Sequence, residues 1–197
     1  ADMAFWVEEV LMANGVHLHL GDTVKTIEGK GTVKKVVTTN GATIETDIVI
    51  LAAGVRPNTE LAKEIGVTIG AKGAVAVNSK MQTNIQDVYA VGDVAESFSV
   101  ITGKPIYRPL GSTANKMGRI AGDVITGGNL EHRGVLGTGI FRVFDLHVGQ
   151  TGMTEKEAKA AGYAVEVLYN IKPDHAEYLG GKELTDAMLR EALAVVD

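Results

Sequence analysis

The stretch with the most chemical content is Met81 to Asp93. It holds Thr83, a short polar spacer, the apolar run Val88-Tyr89-Ala90-Val91 and then Gly92-Asp93. The run reads as a strand buried on both faces, and ligands of open α/β sheets bind beyond the carboxyl ends of strands. Gly92 would let the backbone come close to a ligand. Asp93 would accept hydrogen bonds from ribityl or ribose hydroxyls. A Gly-Asp turn is common by itself, whereas the full pattern is specific.

Two further stretches carry chemistry. Ile48 to Asn58 reads as a buried strand, Ile48 to Ala53, followed by Gly54-Val55-Arg56-Pro57-Asn58. It is either an ordinary strand and turn or a crossover between two nucleotide domains that touches a cofactor. Pro109 to Arg119 begins as a loop and becomes a helix. Leu110, Gly111, Ser112, Thr113 and Ala114 lie at its start. Free N–H groups there suit an electron-rich ring oxygen; the plain alternative is a surface helix with Ser112 as its polar cap. His17 and His19, two apart on a strand-like segment, are read as the wet face of an edge strand rather than metal ligands. The sequence has no Cys, so no disulfide, thiolate site or redox thiol exists within it. No metal ligand set and no catalytic residue can be named.

Positioning these stretches requires elements around them. Asp2 to Asn14 is predicted as a helix stopped by Gly15, and Val16 to Leu20 as a strand. Thr23–Ile27, Thr32–Thr39 and Ala42–Thr46 form an antiparallel ribbon, with Asn40-Gly41 as a hairpin turn. Glu60 to Ile65 is a short helix ended by Gly66, and Val67–Ile69 and Ala74–Val77 are short strands. The helix that starts after Pro109 continues to Ile125. Thr138–Phe144 and His147–Thr151 pair as strands. Thr154 and Glu157 make a capping box for a helix to Ala161, and Tyr163–Asn170 is another strand. Asp186 to Asp197 reads as a helix, with Ala187, Met188, Leu189, Ala192, Leu193 and Val196 at helical spacing.

Composition narrows the class. The chain has 197 residues, a net charge of −5 and 24 glycines. Nothing attracts a polyanion, so nucleic-acid binding is disfavoured. No apolar run approaches the ~20 residues that span a bilayer. The opening residues Ala1 to Trp6 lack the basic region of a signal peptide and acidic residues follow at once, so a cytoplasmic protein is expected.

In this order and spacing, the three stretches resemble the pyridine nucleotide-disulfide oxidoreductase family of FAD flavoproteins. The resemblance covers residues 1 to 185. It implies an α/β fold, part of a two-dinucleotide-binding Rossmann-like arrangement followed by the beginning of an α+β dimerisation domain. Thr83 to Asp93 is similar to the family's second FAD motif, whose Asp binds the ribityl chain. Ile50 to Asn58, with Gly54, resembles the junction where the NAD(P)H domain returns to the FAD domain. Pro109 to Gly118 resembles the helix that faces the isoalloxazine ring. Gly-Val-Arg-Pro-Asn-Thr-Glu-Leu-Ala at 54–62 and Lys-Pro-Asp-His-Ala-Glu-Tyr-Leu-Gly-Gly at 172–181 resemble the branch of coenzyme A-disulfide reductases, NADH oxidases and NADH peroxidases. There the second stretch lies near the substrate side of the partner subunit, which makes His175 and Tyr178 candidates. The implied domains are residues 1–52 (NAD(P)H-binding, C-terminal part), 53–130 (FAD-binding, second part) and 131–197 (dimerisation, with a divergent tail). The implied cofactors are FAD and NAD(P)H, the implied assembly a homodimer, and the acceptor a disulfide, peroxide or oxygen.

Departures limit the expectation. No G-x-G-x-x-G occurs, so neither dinucleotide phosphate loop is present, and the family's redox cysteine is absent. The simplest expectation is a fragment of an oxidoreductase that binds FAD weakly or not at all by itself. The competing reading is a non-catalytic, self-associating module without flavin. An unrelated nucleotide-binding α/β domain is the weakest reading, because it too would need a phosphate loop.

Overall fold

Helix α1, Asp2–Ala13, opens the computed structural model, which describes residues 2–173 and 187–196. It stops where expected: Gly15 takes φ +81°, and the Asn14 N–H donates to the Val10 carbonyl at 3.2 Å. The chain divides into two compact units, Ala1–Val55 with Val143–Leu146, and Arg56–Arg142 with His147–Asp197.

In the first unit, β1 (Val24–Lys30), β2 (Thr32–Thr38) and β3 (Thr43–Glu45) form an antiparallel sheet in that order. Asn40-Gly41 turns β2 into β3, as its sequence demands, with Gly41 at φ +90°. Asp22 ties down the ribbon's far end. Its Oδ1 accepts from the Thr39 hydroxyl at 2.7 Å and from the N–H groups of Thr23 and Asn40 at 2.9 and 3.1 Å. The Thr38 and Thr39 hydroxyls, chiefly, hold this carboxyl down to about 2.

Two expected strands of this unit are not formed. Val16–Leu20 is irregular, and His17 and His19 are exposed there. Ile48–Ala53 is also irregular, with Ile48 76%, Ile50 86% and Leu51 72% exposed. A strand needs neighbours for its backbone groups, and the described residues supply none to this run.

The second unit carries α2 (Glu60–Glu64), β4 (Ser97–Phe98) with β5 (Pro105–Ile106), and α3 (Gly111–Ile125). Then come β6 (Gly139–Val143) paired with β7 (Leu146–Gln150), and α4 (Glu155–Ala160). Thr154 and Glu157 form the full reciprocal capping box of α4. The expected strands 67–69 and 74–77 reduce to isolated bridges at Val75, antiparallel with Ile69 and parallel with Ala95.

The tail corrects the sequence reading. Residues expected as a helix form β9, Ala187–Val196, antiparallel to β8, Ala164–Pro173, in an unbroken register from Ala164↔Val196 to Pro173↔Ala187. Ala, Leu, Met and Glu are good helix formers, but intrinsic propensity is a small preference, and ten paired positions override it. The core of the unit is Met81, Ala95, Met117, Ile120 and Ala121, with Tyr89, Ala90 and Val91 packed against it.

Candidate functional site

The site begins with a hairpin. The Thr83 N–H and hydroxyl both donate to the Val88 carbonyl, at 3.0 and 2.9 Å, while the hydroxyl accepts from the Ile85 N–H at 3.1 Å. Asp87 takes φ +63° to close the turn. Gln82 bridges Tyr89, and the Ala90 N–H reaches the Met81 carbonyl at 3.1 Å. The run 88–91 is therefore a half-buried hairpin arm rather than a strand buried on both faces. Thr83 serves as its pin. Met81 turns into the core at φ +64° and is fully buried.

Because the hairpin and α3 share that core, Gly92 is delivered to the start of α3. Gly92, Asp93 and Val94 form one 3₁₀ turn, closed by the Ala95 N–H on the Gly92 carbonyl at 3.0 Å. Gly92 sits at φ +75°, and a Cβ there would meet the Ala114 Cβ at 3.5 Å. Asp93 is exposed. The Tyr107 hydroxyl donates to the Asp93 carbonyl at 2.9 Å. Burial, then the Asp93 charge, raise the Tyr107 phenol above its ordinary value, so it stays a donor.

Helix α3 has Leu110 as its extended N-cap, with no side chain closing the end. The capping role considered for Ser112 is not taken. Gly111 and Ser112 are exposed, Thr113 is buried, and the Ala114 N–H makes the first helical bond, to the Leu110 carbonyl at 2.9 Å. A helix start without a side-chain cap presents its first amides and the positive end of the dipole outward. Thus Gly92, Asp93 and Leu110 to Ala114 come together. Gly54, exposed at φ +86°, belongs to the first unit. His175 and Tyr178 lie outside the described residues.

A glycine turn bearing a carboxylate, facing a helix start with open amides, suits a ligand with hydroxyls beside an electron-rich carbonyl edge. It offers no phosphate loop. Among the described residues, no group of three or more His, Asp or Glu could hold a metal ion, and no helix is long and apolar enough to cross a membrane.

Sequence reasoning missed several polar residues. Ser97 Oγ and His132 Nε2 lie 2.8 Å apart and both residues are buried; the His132 backbone N–H donates to the Ser79 carbonyl at 2.7 Å. Burial, then the Lys116 charge, lower the His132 pKa. The pair ties the chain after α3 to β4, and no carboxylate bonds to His132 among the described residues. Arg108 pairs with Glu157 at 2.5 Å. Nothing local in the sequence announces such long-range partners. Only the capping box flagged Glu157.

Residues 1–118 match the family described as pyridine nucleotide-disulphide oxidoreductase. The chain is 47% identical to an NAD(P)H sulfur oxidoreductase (CoA-dependent) of Pyrococcus furiosus over 90% of its own length and 40% of the relative's. It is 38% identical to an NADH oxidase of Methanocaldococcus jannaschii over 95% of its length and 42% of the relative's. Its fold is similar to that of an NAD-dependent persulfide reductase from A. fulgidus, with a TM-score of 0.84 and 39% identity, covering 89% of this chain and 32% of that one. The chain thus spans about two fifths of the length of the curated relatives it matches.

Proposed function

The chain belongs to the pyridine nucleotide-disulphide oxidoreductase family, and from that premise we propose that it forms the flavin-contacting portion of an FAD-dependent NAD(P)H oxidoreductase. The acceptor is a sulfur compound of the disulfide or persulfide class, with peroxide or oxygen as the alternative. The observation that carries this reading is the Gly92–Asp93 turn set against the start of α3, which no side chain caps.

The residues fit the cofactor part by part. Asp93 would accept the ribityl hydroxyls, and Gly92 would allow the backbone approach that this needs. The open amides of Gly111 to Thr113, with the first bonded amide at Ala114 behind them, would face the pyrimidine edge, where the helix dipole stabilises negative charge. Gly54 would sit at the junction leading from the nicotinamide domain. When bound, FAD supplies the two-electron relay between NAD(P)H and the acceptor. This chain's residues hold and polarise it. His175 and Tyr178 are proposed for the substrate side. Residues 1–52, 53–130 and 131–197 are assigned to nicotinamide-domain, flavin-domain and dimerisation-domain portions. We place the protein in the cytoplasm, as a homodimer.

The phosphate grips are not in this sequence, so we read the 197 residues as part of a longer catalytic protein. A second reading, a self-associating module without flavin, draws on β6, where Ile140 and Phe141 are 77% and 54% exposed. Gel filtration of the purified chain with FAD tests both. We expect at most a faint, easily lost yellow colour. A tight yellow complex would overturn the assignment of the phosphate grips elsewhere, and a stable colourless dimer would favour the second reading.

A further inference from the structure

Arg108 and Tyr107 are adjacent in sequence and grip two different elements. The Tyr107 hydroxyl donates to the Asp93 carbonyl at 2.9 Å, on the site turn. The Arg108 Nη2 donates to Glu157 Oε1 at 2.5 Å, on the capping box of α4. Two residues later Leu110 is the N-cap of α3, and only Pro109, with its fixed φ, intervenes. The connector is thus short and stiff, and it is held on both sides immediately before the helix start.

The guanidinium's place is shaped as well. Gly137 sits at φ +76°, and a Cβ there would lie 3.2 Å from Arg108 Nε. Glu157 is itself immobilised: its Oε2 accepts from the Thr154 N–H at 3.0 Å, and its own N–H donates to the Thr154 hydroxyl at 3.2 Å. The backbone bond from Thr154 leads the causes that lower its pKa, and Arg108 contributes further. Arg108 therefore holds a carboxylate that is already fixed, not a swinging surface acid.

We propose that Tyr107 and Arg108 act as a clasp, with Glu157 as its anchor, that positions the start of α3 against the Gly92–Asp93 turn. The inference rests on the flavin reading for its purpose, but the clasp itself is a property of the protein without flavin. Both residues are positioning residues. Through Glu157, the clasp makes the geometry of the flavin face depend on α4.

Amide hydrogen exchange of the flavin-free 197-residue chain, read by NMR, tests it. The reporters are the Ala95 amide, bonded to Gly92, and the Ala114 amide, bonded to Leu110. Arg108→Met and Glu157→Gln should each speed exchange at both reporters by about threefold, as a half-exposed ion pair warrants. The double variant should be no faster than either single one, and Arg108→Lys should stay near the parent rate. Glu157→Gln is chosen because Gln also serves a capping box. Tyr107→Phe, a milder change, should speed exchange at Ala95 whether or not Arg108→Met folds. Faster exchange confined to α4, additive effects in the double variant, or Arg108→Lys behaving like Arg108→Met would overturn the clasp. No flavin enters this test, so failure of the flavin reading would show separately, as a chain with an intact clasp that does not respond to FAD.

Discussion

Gly92 lies against Ala114 so closely that a Cβ on the glycine would sit 3.5 Å from the alanine Cβ. That is ordinary van der Waals contact, so crowding does not decide the residue type. The backbone does, because φ is +75°. Gly92→Ala should therefore cost about 1 kcal/mol, from the left-handed conformation alone. Gly92→Val should cost more, adding β-branching strain and a clash with the α3 start. Urea denaturation checks both. Equal stability of all three proteins would contradict the described turn.

Burial falls on Met81 and not on Ile50, although the run that holds Ile50 reads in sequence as a buried strand. Met81 is fully buried at the centre of the second unit's core, whereas Ile50 is 86% exposed. Met81→Ala should cost about 2 to 4 kcal/mol, and Ile50→Lys should lie within about 0.5 kcal/mol of the parent. Chemical denaturation of each variant is the measurement. A large loss at Ile50 would mean that its run is covered in solution.

His132 gives the protein a pH dependence with a definite sign. Burial and the Lys116 charge hold its imidazole below the ordinary 6.5, so the folded chain resists a proton that the unfolded chain accepts. The stability tied to the neutral form is fully present above 6.5 and is lost as pH falls through the folded pKa. Within that window one proton limits the slope of the loss to about 1.4 kcal/mol per pH unit. Glu157 and Asp22, whose pKa values are lowered from 4.5 and 3.8, lose their contributions only at lower pH, so they add nothing to a loss in the interval from 6.5 to 5. Melting curves should fall across that interval in the parent and stay flatter in His132→Gln. Parallel curves would contradict the buried neutral imidazole.

The parts of the fold legible in sequence are those with local causes. Gly15 ends α1, Asn40-Gly41 turns the ribbon, and Thr154 with Glu157 caps α4. Each rests on residues within a few positions of one another. The misreadings have distant causes. Ile48 to Ala53 is apolar enough for a strand buried on two faces, but strand formation depends on partners that an apolar run does not encode. The segment 187–196 has helix-forming residues, yet its register with β8 settles its conformation. At the site, Gly92, Asp93 and the start of α3 were visible from pattern. Tyr107 and Arg108 were not, because their partners lie 14 and 49 positions away.

The central claim is that the Gly92–Asp93 turn and the start of α3 together contact a flavin. Titrating FAD into the ¹⁵N-labelled chain, in the parent and in Asp93→Ala, tests it most directly. The expected result is a weak response, with shifts concentrated at the amides of Gly92, Asp93 and Gly111 to Ala114 and largely lost in Asp93→Ala. Unchanged amides at those positions under excess FAD, or shifts that persist undiminished in Asp93→Ala, would contradict it.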